Sequence, residues 1–413
     1  MFAGRNCIFR QISTILGKET GALTRRIDFI RHQRHCLHRL TALTFARGYS
    51  SVQPPPPSKA NTSDWEFDVS PFGTFTVRTG AIASVFVKPI DPQKYPMQNK
   101  AFIKVTAQED GTDDATISCS AEDSKIVLMA EHDDPSADKK LFSCDIELPI
   151  KFDLDLEVDG GRDLAVKGFE NHYVVMRSDK GACYMFSLKT DTADVHTLGG
   201  NIVCKSYIQA NGTFSTCLQG DVLLDRVLGL SLDVITEEGE IDVKAVYSDQ
   251  SRFSTDSGNI HLKSCHRSSE VEIGEAGNLT VGTLDGDMKA SINQGDVDIY
   301  FTQHGRVDLN VNKGNMLLQL TDSADTEVDL FGSKVKFDDD LVFTSDAKEQ
   351  KGESHKKGHL VHSSVSPDKH DSLLEKPQRL IKAHTKNGSI TVDCKDWLSS
   401  LKLSPSNDLD EDK

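Results

Sequence analysis

A short motif that recurs about every 19 residues limits the fold of this chain more than any other feature. The motif is glycine, then Asp, Asn or Glu, then two apolar residues separated by one position. It begins at Gly200, Gly220, Gly239, Gly258, Gly277, Gly295 and Gly314, so the intervals are 20, 19, 19, 19, 18 and 19 residues. Because one such unit cannot bury its own apolar face, the spacing indicates repeats that stack on one another.

Each interval also contains a second alternating run, such as Leu230–Val234 or Val307–Val311. We therefore predict an all-β, single-chain β-solenoid with coils of about 19 residues and two short strands in each coil. Stacked coils bury equivalent positions in ladders. The first predicted ladder contains Ile202, Val222, Ile241, Ile260, Leu279, Val297 and Met316. The second contains Cys204, Leu224, Val243, Leu262, Val281, Ile299 and Leu318. Antiparallel hairpins stacked into a sandwich or barrel remain the alternative.

Composition and pattern divide the rest of the chain into segments. Residues 1–49 are predicted as a leader, 50–63 as a proline-rich linker, 64–158 as an N-terminal β cap, 159–345 as solenoid repeats, 346–382 as a disordered charged loop, 383–403 as a returning strand with a C-terminal cap, and 404–413 as an acidic tail. The sequence Asn387–Val392 repeats the coil motif once more, so we expect it to dock on the C-terminal end of the solenoid. Trp397, Leu398 and Leu401 are expected to cover the last coil.

The leader differs in charge from the rest of the chain. Residues 1–50 hold nine basic and two acidic side chains, whereas the whole chain has a net charge of −16. A basic, acid-poor amphipathic segment is typical of a mitochondrial transit peptide, so we expect a matrix location and cleavage between Tyr49 and Ser50. A basic tail that binds acidic lipid or protein is the alternative.

Cysteine usage and glycosylation sequons point to different compartments. The seven cysteines outside the leader include no CxxC pair, which is typical of a reducing compartment. Four Asn-x-Ser/Thr sequons would matter only in a secreted protein, and they begin at Asn61, Asn211, Asn278 and Asn387.

Charge and hydropathy exclude two classes of partner. Because a net charge of −16 repels phosphates, we predict no nucleic-acid partner. No stretch approaches the roughly 20 apolar residues that cross a bilayer as a helix, so we predict no transmembrane segment.

Three groups of polar residues are candidate sites, and for each we favour a structural role. The acidic or amide residues after the corner glycines lack the repeat pattern of calcium-binding solenoids, so we interpret them as a turn ladder. Two of the outward carboxylates Asp242, Asp298 and Asp308 would form the acid/base pair of a polysaccharide-cleaving enzyme. The interpretation that we favour is that they solvate an exposed face. His355, His359 and His362 are spaced for zinc on a helix, but they lie in a charged segment without an apolar face. We therefore predict no catalytic, cofactor-binding or metal-binding residue.

The coils from Gly181 to Gly332, with the repeated motif at Asn387–Val392, resemble the adhesin-like β-solenoid family of unknown function over about residues 65–400. The resemblance implies the fold and transfers no catalytic residue. Our leading hypothesis is a monomeric, non-enzymatic mitochondrial protein that offers a binding or scaffolding surface to protein partners. The alternatives are a carbohydrate lyase or hydrolase and an extracellular adhesion-type protein.

Overall fold

The computed structural model describes residues 62–79, 83–107, 115–132, 142–160, 162–322, 324–345, 354–363 and 379–395. Within these residues the chain forms 25 strands joined in one hydrogen-bonded sheet, and the predicted all-β solenoid class is confirmed. No helix that could span a membrane is found among them. The predicted leader and acidic tail lie outside the described residues.

The strands fall into an N-terminal, a central and a C-terminal group. The N-terminal strands are β1 (Thr62–Asp68), β2 (Thr74–Thr79), β3 (Ala83–Pro89), β4 (Lys100–Ala107), β5 (Ala115–Glu122), β6 (Lys125–His132), β7 (Phe142–Leu148), β8 (Asp153–Val158) and β9 (Leu164–Lys167). The central strands are β10 (Glu170–Ser178), β11 (Cys183–Thr197), β12 (Ile202–Thr216), β13 (Val222–Thr236), β14 (Ile241–Ser257), β15 (Ile260–Leu262), β16 (Cys265–Ala276), β17 (Leu279–Gln294), β18 (Val297–Lys313) and β19 (Met316–Leu320). The C-terminal strands are β20 (Asp325–Phe331), β21 (Lys334–Phe337), β22 (Leu341–Ser345), β23 (His355–His362), β24 (Leu380–Asn387) and β25 (Ser389–Cys394).

The central strands pair in parallel with the same position of the next coil. Cys183 lies beside Ile202, Ile202 beside Val222, and Val222 beside Ile241. This parallel pairing excludes antiparallel hairpins for the coils. In most central coils the two predicted strands are segments of one long, bent strand, because the ladder of β11 continues through register shifts instead of breaking. In the coil that begins at Gly258 they are the separate strands β15 and β16.

Both predicted ladders form the core, and every member is at most 2% exposed. Two more ladders line the interior. One contains Leu188, Ile208, Val227, Val246, Cys265, Leu284 and Phe301. The other contains Val195, Phe214, Val234, Phe253, Val271, Ala290, Leu309 and Ala383. Each coil therefore buries several short apolar segments against the coils above and below it.

The corner glycines are required by close packing between coils. A Cβ atom on Gly200 would lie 2.1 Å from the carbonyl oxygen of Gly181, one coil earlier. Buried threonines bind the carbonyl groups of the same corners: Thr236 Oγ1, on a fully buried side chain, donates to the Gly239 oxygen at 3.1 Å. The hydroxyl therefore donates to a buried carbonyl oxygen that the hydrogen bonds between strands do not reach at the turn.

The C-terminal motif returns to the stack but does not close it. Strand β24 lies between β18 and β20, and β25 lies between β19 and β21, all in parallel. The predicted docking on the C-terminal end is therefore wrong: this coil is inserted inside the stack. Its motif glycine and core residues match those of any other coil, so it fits between two of them. The predicted cover of Trp397, Leu398 and Leu401 lies outside the described residues.

Part of the predicted charged loop forms a strand. Residues 355–362, expected within a disordered segment, form β23, which pairs antiparallel with both β20 and β22. The segment is ordered by backbone pairing, and its Leu360 is fully buried although the local sequence is mostly polar.

The N-terminal region has the same kind of insertion. Strand β2 lies in parallel between β6 and β8, and β3 lies between β7 and β9. Antiparallel strands β1, β4 and β5 extend the sheet beyond this coil. Residues 64–158 therefore contain both solenoid coils and cap strands, and β1 begins at Thr62, inside the predicted linker.

Candidate binding face

The acidic and amide side chains at the corners form the predicted turn ladder. The Asn201 Oδ1 atom accepts the backbone N–H of Asp221 at 2.9 Å. Equivalent bonds occur between most later coils. One of them joins the inserted coil, where Asn315 Oδ1 accepts the N–H of Ser389 at 3.0 Å. These oxygens are therefore bonded to backbone amides of the next coil, which explains why the motif places Asp or Asn after the glycine.

The three outward carboxylates do not form an acid/base pair. Asp242 and Asp298 share one outer column, with His261 and Thr280 between them, so roughly 14 Å of stacked strands separate them. Asp308 lies on another side, in register with Lys289. The two carboxylates of a glycoside hydrolase lie about 5–10 Å apart. Asp242, Asp298 and Asp308 therefore cannot be the catalytic residues of the lyase or hydrolase alternative.

The predicted histidine group is divided between two carboxylates. His355 Nε2 lies 2.9 Å from Asp329 Oδ1, and His359 Nε2 lies 2.9 Å from Asp325 Oδ1. Among the described residues no group of three or more His, Cys, Asp or Glu side chains is arranged to hold a metal ion. His355 and His359 therefore contact separate surface carboxylates and do not share one site.

The sequence predictions do not include one group of polar side chains, Asp194, His196 and Ser215. His196 Nε2 lies 2.6 Å from Asp194 Oδ1, and its Nδ1 atom is hydrogen-bonded to Ser215 Oγ. Since Ser215 follows His196 by one 19-residue period, the repeat alone could have located this trio. Ser215 is only 6% exposed, and β12 is paired on both sides by β11 and β13. The local backbone amides are thus committed to the sheet and cannot form the oxyanion site of a serine hydrolase.

Three cysteines of the central coils, Cys183, Cys204 and Cys265, are core residues. Burial raises the pKa of Cys183 to about 12, and the pKa of Cys204 likewise to about 12. Such thiols stay protonated at neutral pH, and a nucleophile needs the thiolate. Their packing role agrees with the small apolar character expected at these positions.

An apolar strip crosses the outside of five neighbouring coils. Its side chains occupy one outward column of the stack and continue from the inserted N-terminal coil into the central strands. The strip consists of Phe86, Ala165, Tyr184, Val203 and Leu223. Leu223 is 37% exposed, and the other four are half-buried. Outward positions of a solvated sheet are normally polar, so this strip is an apolar patch on the surface.

A lysine column lies two residues further along the strands than the apolar strip, and its last two coils extend beyond the strip. It contains Lys167, Phe186, Lys205, Asp225, Lys244 and Lys263. Lys167, Lys205 and Lys263 are exposed and make no salt bridge with another described residue. Between them Lys244 pairs with Asp225 at 2.7 Å, and this ammonium lowers the pKa of that carboxyl. On a chain with a net charge of −16, three unpaired ammonium groups form a local positive surface.

Another outer column of the stack neutralises itself. Its charges alternate from coil to coil: Arg252, Glu270, Lys289, Asp308, Lys382, Asp329 and Lys357. Lys289 Nζ lies 3.2 Å from Glu270 Oε1. Because opposite charges alternate here, this column leaves little charge for a partner, in contrast to the lysine column.

Comparison with known proteins assigns the family. The Toastrack DUF4097 family matches residues 112–392, which include most of the described coils and the inserted C-terminal coil. The chain belongs to the Toastrack DUF4097 family. The adhesin-like family expected from the repeats is supported at this level.

Three solved bacterial structures are similar to this Toastrack chain. A "putative adhesin" from Parabacteroides distasonis is 9% identical, with a TM-score of 0.30, over 80% of this chain and 96% of that chain. A "putative lipid binding protein" from the same species is 11% identical, with a TM-score of 0.27, over 81% and 97%. A "putative adhesin" from Bacteroides fragilis is 12% identical, with a TM-score of 0.17, over 82% and 99%.

The expected mitochondrial matrix location is wrong. The Toastrack family match leads to bacterial proteins and not to mitochondrial proteins. The basic composition that motivated the expectation lies in residues 1–49, and the predicted cleavage at Tyr49 lies outside the described residues. A compositional signal of this kind also fits a basic tail.

Proposed function

We propose that this Toastrack protein is a non-enzymatic, adhesion-type binding protein, and that its partner is a protein with acidic and apolar side chains on its surface. The observation that carries the proposal is the apolar strip beside the lysine column. Strip and column together are called the partner face below.

The two parts of the partner face have complementary roles in binding. Covering the strip removes apolar surface from water, which favours association by about 25 cal/mol for each Å² buried. The ammonium groups of Lys167, Lys205 and Lys263 select a partner with carboxylates and orient its approach, since charge complementarity acts mainly on specificity and association rate. Rigid stacked strands hold both parts in fixed register, so little conformational entropy is lost on binding.

Attachment of protein-coated beads to intact bacterial and animal cells tests this proposal. The variant Lys167→Glu/Lys205→Glu/Lys263→Glu reverses the charge of the column, and we expect it to abolish attachment. A matched control reverses Lys313, Lys336 and Lys386, which are exposed, make no salt bridge with another described residue and lie outside the partner face. We expect the control to attach as the unaltered protein does, and attachment by the unaltered protein should weaken with added salt.

Two results would contradict the proposal. The first is equal attachment of both triple variants, which would mean that the lysine column takes no part. The second is attachment that persists after the cells are treated with protease and that also occurs on vesicles of anionic lipid. That result would mean that the partner is a membrane.

Use of the sequons tests the extracellular form of the proposal. Asn278 and Asn387 are exposed at corners of the stack. When the chain is routed through a eukaryotic secretory pathway, we expect a mobility shift that an endoglycosidase removes and that Asn278→Gln/Asn387→Gln reduces. Unchanged mobility of the secreted chain would contradict exposure of these corners to the glycosylation machinery.

A further inference from the structure

A second surface feature lies apart from the partner face, beside strands β10 and β11. It is a cleft of about 210 Å³ whose walls include Phe72, Lys151, Glu170, Asn171 and Lys189. This volume suits one small ring-shaped molecule and is too small for a folded segment of a partner. The cleft is called the Phe72 cleft below.

Asn171 forms a fixed part of the wall of the Phe72 cleft. Its side chain is only 9% exposed, and its Nδ2 group donates to the carbonyl oxygens of Phe152 at 2.7 Å and Tyr173 at 3.2 Å. These two bonds fix the amide, and its Oδ1 atom has no partner among the described residues. The Oδ1 atom is closed to solvent, so Asn171 stiffens the wall of the cleft and does not contact a ligand.

The charged residues give the cleft a positive balance. Lys151 Nζ lies 3.2 Å from Glu170 Oε2, so these two side chains neutralise each other. Lys189, which is in register with Glu170 on the next strand, is exposed and makes no salt bridge within the described ranges. The cleft thus holds one carboxylate and two ammonium groups, and the remaining positive charge favours an anionic ligand.

Phe72 supplies an apolar surface at the same place. Its side chain is 62% exposed, which is unusual for a phenylalanine outside an interface or a binding site. The face of an aromatic ring packs well against the C–H face of a saccharide ring, while the hydroxyl groups of the sugar point toward polar side chains.

We propose that the Phe72 cleft binds a monosaccharide unit that carries a carboxylate, as a uronic acid residue of a polysaccharide does. The sugar ring packs on Phe72, its hydroxyl groups face Glu170, and the carboxylate pairs with Lys189. The site uses none of the residues of the partner face, so it does not rest on the function proposed above.

Titration of the full-length protein with sodium D-glucuronate, followed by NMR, tests the proposal, with D-glucose and sodium acetate as comparison ligands. We expect saturable binding of glucuronate, and affinity at least about tenfold weaker for glucose and for acetate, because each lacks one of the two recognised features. Lys189→Gln should weaken glucuronate by about tenfold and leave glucose unchanged. Phe72→Ala should weaken both sugars and leave acetate unchanged.

Matched controls use the same residue types elsewhere on the surface. Phe331 is 46% exposed and Lys313 is exposed, so Phe331→Ala and Lys313→Gln should bind glucuronate as the unaltered protein does. The proposal is overturned by the absence of glucuronate binding, or by acetate binding as tightly as glucuronate. It is also overturned if Phe72→Ala and Lys189→Gln bind like the controls. Because the cell-attachment assay uses different variants, failure of either proposal leaves the other intact.

Discussion

Two adjacent glycines offer a direct test of how the coils are stacked. A Cβ atom on Gly200 would lie 2.1 Å from the Gly181 oxygen and 2.8 Å from the Lys180 oxygen. A Cβ atom on Gly199 would meet nothing nearer than Leu218 Cδ1, at 4.0 Å. Since neither glycine has a positive φ, the comparison between Gly200→Ala and Gly199→Ala isolates close packing from backbone conformation.

The expected cost follows from the size of the clash. Ordinary contacts begin at 3.4 Å, so the corner of one coil must move by more than 1 Å. Forced insertion of a methyl group into a packed interior costs about 1–3 kcal/mol, and strain in one adjacent backbone hydrogen bond adds about 1 kcal/mol. Reduced entropy of the unfolded chain returns about 0.4–1 kcal/mol. We therefore expect Gly200→Ala to lower the free energy of unfolding by about 1–4 kcal/mol and Gly199→Ala to leave it unchanged or slightly higher.

Denaturant unfolding followed by circular dichroism measures both variants. Gly220→Ala provides an intermediate case, because its Cβ atom would lie 2.6 Å from the Gly200 oxygen. The expected order of destabilisation is Gly200, then Gly220, then Gly199, and an insoluble Gly200→Ala protein still leaves the last two to compare. Equal midpoints for Gly199→Ala and Gly220→Ala would refute the argument that carbonyl contact between coils requires glycine.

Three further perturbations have definite expected results. Thr236→Val should lower the free energy of unfolding by about 1 kcal/mol in denaturant titration, because it removes the closer of two hydroxyl donors to the buried Gly239 carbonyl and leaves only Thr255 Oγ1 at 3.4 Å. Thr236→Ser should retain most of that stability. With the two N-terminal cysteines replaced by serine, a maleimide should label Cys217 and Cys394 in the native protein before any other thiol, as mass spectrometry of peptides would report. Burial raises the pKa of Asp298, so the native state holds this proton more tightly than the unfolded chain and stability falls as pH rises from the ordinary value to the raised one. Asp298→Asn should then raise the melting temperature at pH 7 more than at pH 3, and an equal shift at both values would contradict this sign.

The sequence predicted the inside of the stack well, because both signals involved are local. Alternation within a strand decides which residues face inward, and the 19-residue period decides which residues meet, as at Ile202 and Val222. The same period would have paired His196 with Ser215, had it been applied to outward polar residues. Outward apolar residues such as Leu223 can likewise be located from the alternation alone.

The order of the coils was decided only by the tertiary structure. Residues 74–89 stack between strands that follow them in the chain, and residues 380–394 insert between earlier coils. A repeat fixes how one coil fits the next, but equivalent coils present equivalent edges, so the period cannot state which of them are neighbours. Both candidate sites depend on this order. Phe86 joins the apolar strip, and Phe72 reaches Asn171, only because the first coil lies out of sequence within the stack.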